Sequence, residues 1–439
     1  MAGEWMVLPL EDCMDAVIDY RGKTPKKKAH GVPLITAKVV KGGRIETPNE
    51  FIALDDYETW MRRGIPKAGD VVVTTEAPLG EVAQLGPERV ALAQRLIALR
   101  GKTGVLDNGF LKFLMQSGDV QKQLRARASG TTVLGVKQSE LRKVLLSLPP
   151  FCEQRVIAHI LGTLDDKIEL NRKMSETLEA MARALFKSWF VDFDPVRAKM
   201  EGRDSGLPRE IADLFPSRMV ESELGEIPEG WEVRPLGDLV EIVKGRSYKS
   251  EELSDSLTAL VTLKSFSRGG GYRTDGLKPF TGTYKKAQVI EPGEVVIACT
   301  DVTQAAEIIG RTAIVRPSRL YKTLVASLDT MIVRPRSADL SRSFLYCLGR
   351  SEAFVAHTYS HTTGTTVLHL GKEAIPSFAC TVPPRRLIEQ FDSVAATIFS
   401  RLQVIDEESE TISALRDALL PKLVSGALRV GDLESRRQI

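Results

Sequence analysis

Cysteine is scarce and scattered in this chain. The 439 residues hold five, Cys13, Cys152, Cys299, Cys347 and Cys380, and no Cys-x-x-Cys pair. That pattern argues against a disulfide framework, a zinc site or a redox centre. No run of ~18 apolar residues exists, so no membrane span is expected. The opening segment, MAGEWMVLPLEDCMD, carries acids and no basic stretch, which speaks against a secretory signal and makes the cytoplasm the expected compartment. A surplus of one charge is also missing: 60 Lys+Arg stand against 57 Asp+Glu, a net charge of +3. With 43% apolar residues the chain can bury large cores, and disordered or collagen-like classes are excluded. The length suits two or three domains.

Catalytic signatures are missing too. Gly22-Lys23-Thr24 and Gly101-Lys102-Thr103 lack the upstream glycine of a phosphate-binding loop. Leu148-Pro149-Pro150-Phe151 is superficially like the tetrapeptide that holds a flipped base in amino-methyltransferases, but that motif opens with Asp, Asn or Ser. No glycine-rich fingerprint for S-adenosylmethionine follows a plausible first strand. His357 and His361 have metal-ligand spacing, yet the threonines and Gly364 beside them favour a polar loop. Asp165-Asp166 is expected to face solvent, and Asp192-Phe193-Asp194-Pro195 to end a helix. No catalytic residue, metal or bound cofactor is expected.

What the sequence has is a repeat. Gly130-Thr131-Thr132-Val133-Leu134 recurs as Gly364-Thr365-Thr366-Val367-Leu368, Pro149-Pro150 as Pro383-Pro384, and Ser175-Glu176-Thr177 as Ser409-Glu410-Thr411, all at an offset of 234. Trp5, Pro9, Leu10 and Asp12 match Trp231, Pro235, Leu236 and Asp238 at offset 226, as Ile35-Thr36-x-Lys38 matches Val261-Thr262-x-Lys264. Gly69-Asp70-Val71-Val72-Val73 pairs with Gly293-Glu294-Val295-Val296-Ile297. Chance explains one such match, not six in the same order. Each half therefore reads as a mixed α/β head followed by a long helix. The expected bounds are 1–150 for the first head, 151–192 for its helix, 193–230 for a connector, 231–384 for the second head, and 385–439 for the second helix and tail. The Gly-Thr-Thr-Val-Leu block is expected to turn the chain, its threonines also being suited to touch a phosphate.

From Glu153 to about Val191 there is no proline and one glycine. Taking Ile157 as heptad position a gives Ile157, Leu164, Asn171, Leu178 and Leu185, with Ile160, Met174 and Met181 at d. The second helix supplies Phe391, Ile398, Ile405, Ile412 and Leu419 at a, with Val394 and Leu415 at d. A helix of ~57 Å needs a long partner, and its own repeat, running antiparallel, is the economical one. The alternative is that each helix lies on its own head. Asn171 suits either a register-setting core position or solvent.

Charge is balanced overall but not locally. Arg21, Lys23, Lys26, Lys27, Lys28, Lys38, Lys41 and Arg44 occupy a stretch with no acidic residue. The matching region holds Lys264, Arg268, Arg273, Lys278, Lys285 and Lys286 against Asp275 alone, with Arg246 and Lys249 shortly before it. Gly42-Gly43 and Gly269-Gly270-Gly271 would let the backbone approach a ligand closely. Positive loops at matching places in two copies are what phosphate contacts need, so these sixteen side chains are the candidate DNA-binding residues.

The residues resemble a known family, the specificity subunits of type I restriction-modification systems. Carrying the resemblance are the Trp-x-x-x-Pro-Leu-x-Asp that opens each half, the Gly-Asp/Glu-Val-Val strand, Gly-Thr-Thr-Val, and the stretch Pro149, Pro150, Glu153, Gln154, Arg155. To these are added the block from Ala184 to Val196 and the ending Leu419-Leu420-Pro421-Lys422-Leu423-Val424-Ser425-Gly426. One departure is that Glu389-Gln390 lies two residues late in the second copy, which bears on where the second helix starts. The resemblance implies two target-recognition domains and two conserved helices in a prokaryotic, non-catalytic subunit that reads an asymmetric, bipartite site on double-stranded DNA. It implies two adenine-N6 methyltransferase subunits and restriction/translocase subunits as partners, with S-adenosylmethionine, ATP and Mg carried by those partners. The rivals are a stand-alone methyltransferase or nuclease, and a coiled-coil adaptor that binds no DNA.

Overall fold

The computed structural model describes residues 5–20, 24–303 and 306–430. The chain divides into two compact units that do not follow chain order: Met1–Asn171 with Glu408–Ile439, and Arg172–Glu407.

In the first unit a four-stranded antiparallel sheet is built from β1 (Met14–Asp19), β2 (Val71–Thr75), β3 (Leu79–Gln84) and β4 (Leu96–Gly101), in the order β1-β4-β2-β3. The run Val71-Val72-Val73 is apolar without alternation because both faces of the sheet are covered. Val71 and Val73, with Ile97 and Leu99, join the core shared with the helical segments, whereas Val72 and Ala98 face a second sheet. That second sheet holds a parallel pair, Val32–Ile35 with Ala91–Leu92. A ribbon of Met6–Pro9 against Leu145–Leu148 closes the head.

The second unit repeats this plan. β5 (Val240–Lys244), β6 (Val295–Ala298), β7 (Thr312–Ile314) and β8 (Thr330–Pro335) run in the order β5-β8-β6-β7. Thr258–Val261 and Thr323–Ala326 form the parallel pair, and Glu232–Pro235 with Ala379–Val382 the closing ribbon. Val295 and Ile297 face one core while Val296 and Ala298 face the other.

The shared Gly-Asp/Glu-Val-Val block has a structural reason. Asp70 is buried and holds Arg100 of β4 through two hydrogen bonds of 2.8 and 2.7 Å. Glu294 holds Arg334 of β8 in the same way, at 2.6 and 3.1 Å. Each acid also accepts from the backbone three residues back, Lys67 or Glu291. Burial pushes the Glu294 carboxyl up, but Arg334, the Glu291 N–H and Arg342 outweigh it and hold it below the usual range.

Two helices of 40 residues each follow the heads: α1 (Phe151–Phe190) and α2 (Arg385–Val424). At 1.5 Å per residue each is ~60 Å long. Despite the displaced Glu389-Gln390, α2 starts 234 residues after α1, as the repeat requires. Within the first unit the start of α1 lies antiparallel to the end of α2, with Lys167 on Glu408 (3.0 Å), Asp165 on Arg416 (3.0 Å) and Glu153 on Arg429 (3.1 Å). Within the second unit the pairing is aromatic: Phe186 and Phe190 pack on Phe391, and Trp189 on Phe391 and Phe215.

The seam differs from its reading in the sequence. Met181, Val394 and Leu415, taken there as d positions, are 54%, 39% and 48% exposed, whereas Leu161, Ala182, Ala395 and Leu402 are buried. Buried residues thus follow Ile157, Leu178, Phe391 and Ile398 by four positions, not three, where the helices join the cores of the heads. Small alanines at the inward positions disguised the seam. Asn171 is 1% exposed and donates to Glu408 (3.0 Å) and Ser409 (3.1 Å), an internal polar contact rather than a solvent-facing one.

The ends of the helices also match. After α1, Phe193 turns the chain in the left-handed region (φ 56) and packs edge-on against Trp231. Beyond α2, Gly426 takes the same region (φ 76), where a Cβ would lie 3.1 Å from the Trp5 ring, and Arg429 stacks over Trp5. Each tryptophan that opens a head therefore meets the end of a long helix.

Candidate nucleic-acid interface

Arg21 and Lys23 lie outside the described residues. Lys26, Lys27, Lys28, Lys38 and Arg44 are exposed, with Lys27 paired to Glu50 at 2.9 Å. Lys27 and Lys28 form a short strand on the edge of the second sheet, so a row of cations borders that sheet. Lys41 and Arg44 belong to a tight hairpin, Val40–Lys41 against Arg44–Ile45, in which Lys41 meets Glu46 at 3.3 Å.

In the second unit Lys249, Lys264, Arg268, Arg273, Lys285 and Lys286 are exposed. Arg268 reaches Glu307 (3.4 Å) and Arg273 reaches Asp275 (2.5 Å). Arg246 is half-buried between Glu252 (3.0 Å) and the ring of Phe280, and Lys278 sits over Tyr248. Arg246 and Lys278 are the least available of the set: their aliphatic stems and charges are committed inside the head.

Several backbone groups of the glycine loops are engaged within their own unit. Gly42 donates its N–H to Glu81 (2.9 Å), and the Gly42-Gly43 hairpin borders a cleft lined by Gln116, Asp165 and Arg416. Gly269 and Gly271 donate to the carbonyls of Glu307 and Thr312, and a Cβ on Gly270 would lie 2.3 Å from the Arg350 guanidinium. All five glycines stand at positive φ, which side chains rarely adopt, and only Gly270 is also pressed closely against its own unit.

Other expectations change for equally local reasons. Asp165 does not face solvent: it is clasped by Lys112 at 2.5 Å and Arg416. His357 lies in the helix Glu352–Ser360 and His361 caps that helix, where a polar loop was expected. Their rings are 4.4 Å apart, and burial together with His361 pushes His357 down. Among the described residues no three His, Cys, Asp or Glu side chains converge as a metal site, and none of the described helices is long and apolar enough to cross a membrane.

The Gly-Thr-Thr turn is the same object in both units. Gly130 (φ 130) and Gly364 (φ 102) each leave no room for a side chain, since a Cβ would lie 2.1 Å from the carbonyl oxygen of Val133 or Val367. The two threonines of each turn are exposed. Beside it lie Glu76 and Arg95 in the first unit and Thr300 and Asp329 in the second, residues that form no motif along the sequence because the strands carrying each pair are far apart in the chain.

Residues 3–180 match the family described as "Type I restriction modification DNA specificity domain". Over 374 residues the chain is 26% identical to the type I restriction enzyme MjaIX specificity subunit of Methanocaldococcus jannaschii, covering 84% of this chain and 80% of that protein. Over 387 residues it is 23% identical to the HindI specificity subunit of Haemophilus influenzae, covering 78% and 82%. Among solved structures, the S subunit of a type I restriction-modification system from M. genitalium shares the fold, with a TM-score of 0.53, 14% identity and 96% of each chain covered.

Proposed function

Since this chain belongs to the DNA-specificity subunits of type I restriction-modification systems, we propose that each of its two heads reads one half of an asymmetric, bipartite site on double-stranded DNA. The observation that carries this reading is the duplicated head: one sheet order, one buried acid–arginine pair and one Gly-Thr-Thr turn, twice in a single chain. A homodimer of identical heads reads a palindrome, whereas two diverged copies in one chain read two different half-sites.

The paired helices set the unread gap between the halves and dock two adenine-N6 methyltransferase subunits, with restriction/translocase subunits joining that complex. The chain itself supplies recognition and no chemistry. S-adenosylmethionine, ATP and Mg belong to the partners, as does extrusion of the target adenine. The cytoplasm of a prokaryote is the compartment where such a complex meets its DNA. The cation row at Lys26–Lys28 supports phosphate contact in the first head, and Lys264, Lys285 and Lys286 in the second.

Selection from random duplexes by the complex of this chain with its methyltransferase subunits tests the reading. Two unlike half-sites at one fixed spacing are expected; two identical halves, or no preference, would refute it. Four residues inserted into one long helix add ~6 Å. Such an insertion should lengthen the spacer by one to two base pairs, about 3.4 Å each, and an unchanged spacer would refute the role of the helices.

A further inference from the structure

At one end of the four-stranded sheet each head carries a small crest made of three segments. In the first head Glu76, just past β2, bridges Gly135, which in turn bridges Ser129. Arg95, in the turn before β4, pairs with Glu76 at 2.8 Å. In the second head Thr300 pairs with His369, His369 pairs with Thr363, and the Thr300 hydroxyl donates to Asp329 at 2.8 Å. Glu76 corresponds to Thr300 at offset 224, and Arg95, Ser129 and Gly135 correspond to Asp329, Thr363 and His369 at offset 234. The backbone contacts of the crest are thus the same twice over, while all four side chains differ.

The surroundings fit an exposed working surface. Glu76 and Arg95 are 40% and 48% exposed, so their ion pair adds little stability; what it does is aim the guanidinium. Arg95 (φ 72) and Ala77 (φ 45) both stand in the left-handed region, as does Ala306 (φ 50) in the corresponding loop of the second head. Strain of this kind persists where neighbouring structure enforces it, and it collects at working sites. A cleft of about 280 Å³ opens there, bordered by Glu76, Gln94, Arg95, Ser129 and Lys137. Arg, Gln, Asp, Ser and Thr are side chains that read base edges, and the shared Gly-Thr-Thr-Val-Leu turn beside them suits sugar or phosphate contact, which carries no sequence information.

We propose that this crest is the base-reading surface of each head: Arg95, aimed by Glu76, reads a guanine in one half-site, and Asp329 with Thr300 and His369 reads the other half-site. The proposal rests on the heads recognising DNA and adds which side chains discriminate. The Lys26–Lys28 row then gives affinity without preference. A well-formed bidentate contact discriminates between bases by roughly five- to a hundred-fold.

The test exchanges crest chemistry within the full chain: Glu76→Thr with Arg95→Asp, and reciprocally Thr300→Glu with Asp329→Arg. Aspartate tolerates the left-handed backbone at position 95, so the first exchange spares the turn, and thermal melting checks it. Selection from random duplexes by the methyltransferase complex should show a changed base preference in one half-site, with the other half and the spacer intact. A motif unchanged in both halves, or altered in both, would overturn the crest. If an exchange abolishes selection altogether, Arg95→Lys decides, since it keeps the charge but loses the bidentate fork: relaxation at a single base pair supports the crest and an unchanged motif overturns it. Failure of the broader reading looks different, because the parent chain would then select no motif at all.

Discussion

The two heads share a frame and differ in what the frame carries. In both, an acid buried at the foot of a central strand grips an arginine on its neighbour, Asp70 with Arg100 and Glu294 with Arg334. In both, a glycine turn without space for a side chain closes the same three-way bridge. Where the bridge is exposed, Glu76 and Arg95 stand in one head and Thr300 and Asp329 in the other. The difference teaches that duplication preserved the buried acid–arginine pair and the glycine turn that shape the frame, and diverged at the exposed side chains the bridge carries.

That comparison is open to direct attack, most severely at the buried pairs. Arg334→Met takes the arginine from the buried Glu294, leaving it the Glu291 N–H and the more distant Arg342, and also removes bonds to the Ala287 and Val289 carbonyls; a loss of about 3 kcal/mol or more is expected. Arg100→Met should fall at the lower end of that range, because beyond Asp70 it gives up only the Ile65 carbonyl. Urea unfolding of both variants measures the difference, and equal losses would mean that the additional bonds of Arg334 contribute nothing.

Acid should act on the second head through two carboxyls. Glu294 is held below the usual carboxylate range, and so is Asp301, where burial is outweighed by N–H donors from Thr303, Ile308 and Ile309. A carboxyl whose folded pKa is depressed contributes stability that is present above its unfolded value and is lost as pH falls through the folded value. Melting temperature should therefore drop as pH falls below about 4, close to the ordinary carboxylate value. Glu294→Gln and Asp301→Asn should each flatten that acid limb while lowering stability at neutral pH; an acid limb identical to the parent's would remove the residue concerned from this account.

A smaller effect is expected from the cation row. Replacing Lys26, Lys27 and Lys28 with alanine should reduce the slope of log affinity against log salt by up to ~2.7, about 0.9 for each phosphate that a lysine neutralises, with the selected motif unaltered. An unchanged slope removes these lysines from the interface. Smallest of all is Asn171→Ile, which copies Ile405 at the corresponding position of the other helix. Since Lys167 still meets Glu408, a change within about 1 kcal/mol is expected in the same unfolding measurement. A larger loss would make the Asn171 contact a structural keystone.

Much of this molecule is local enough to be read along the chain. The matched Gly-Thr-Thr-Val-Leu blocks, the Val71–Val73 and Val295–Ile297 strands and the proline-free stretch from Glu153 announce the repeat, the sheets and a long helix, because strand and helix periodicity and the conformational freedom of glycine act over a few residues. Tertiary structure decided the rest. Which helix positions are buried depended on what packs against them, so Ala182 and Ala395 lie inside while Met181 and Val394 lie outside. Asp165 became an internal ligand for Lys112 and Arg416, and the glycine loops turned toward their own units, because their partners lie dozens of residues away or more. The crest is the clearest case: Glu76, Arg95, Ser129 and Gly135 form no motif along the chain, and only the pairing of distant strands makes them neighbours.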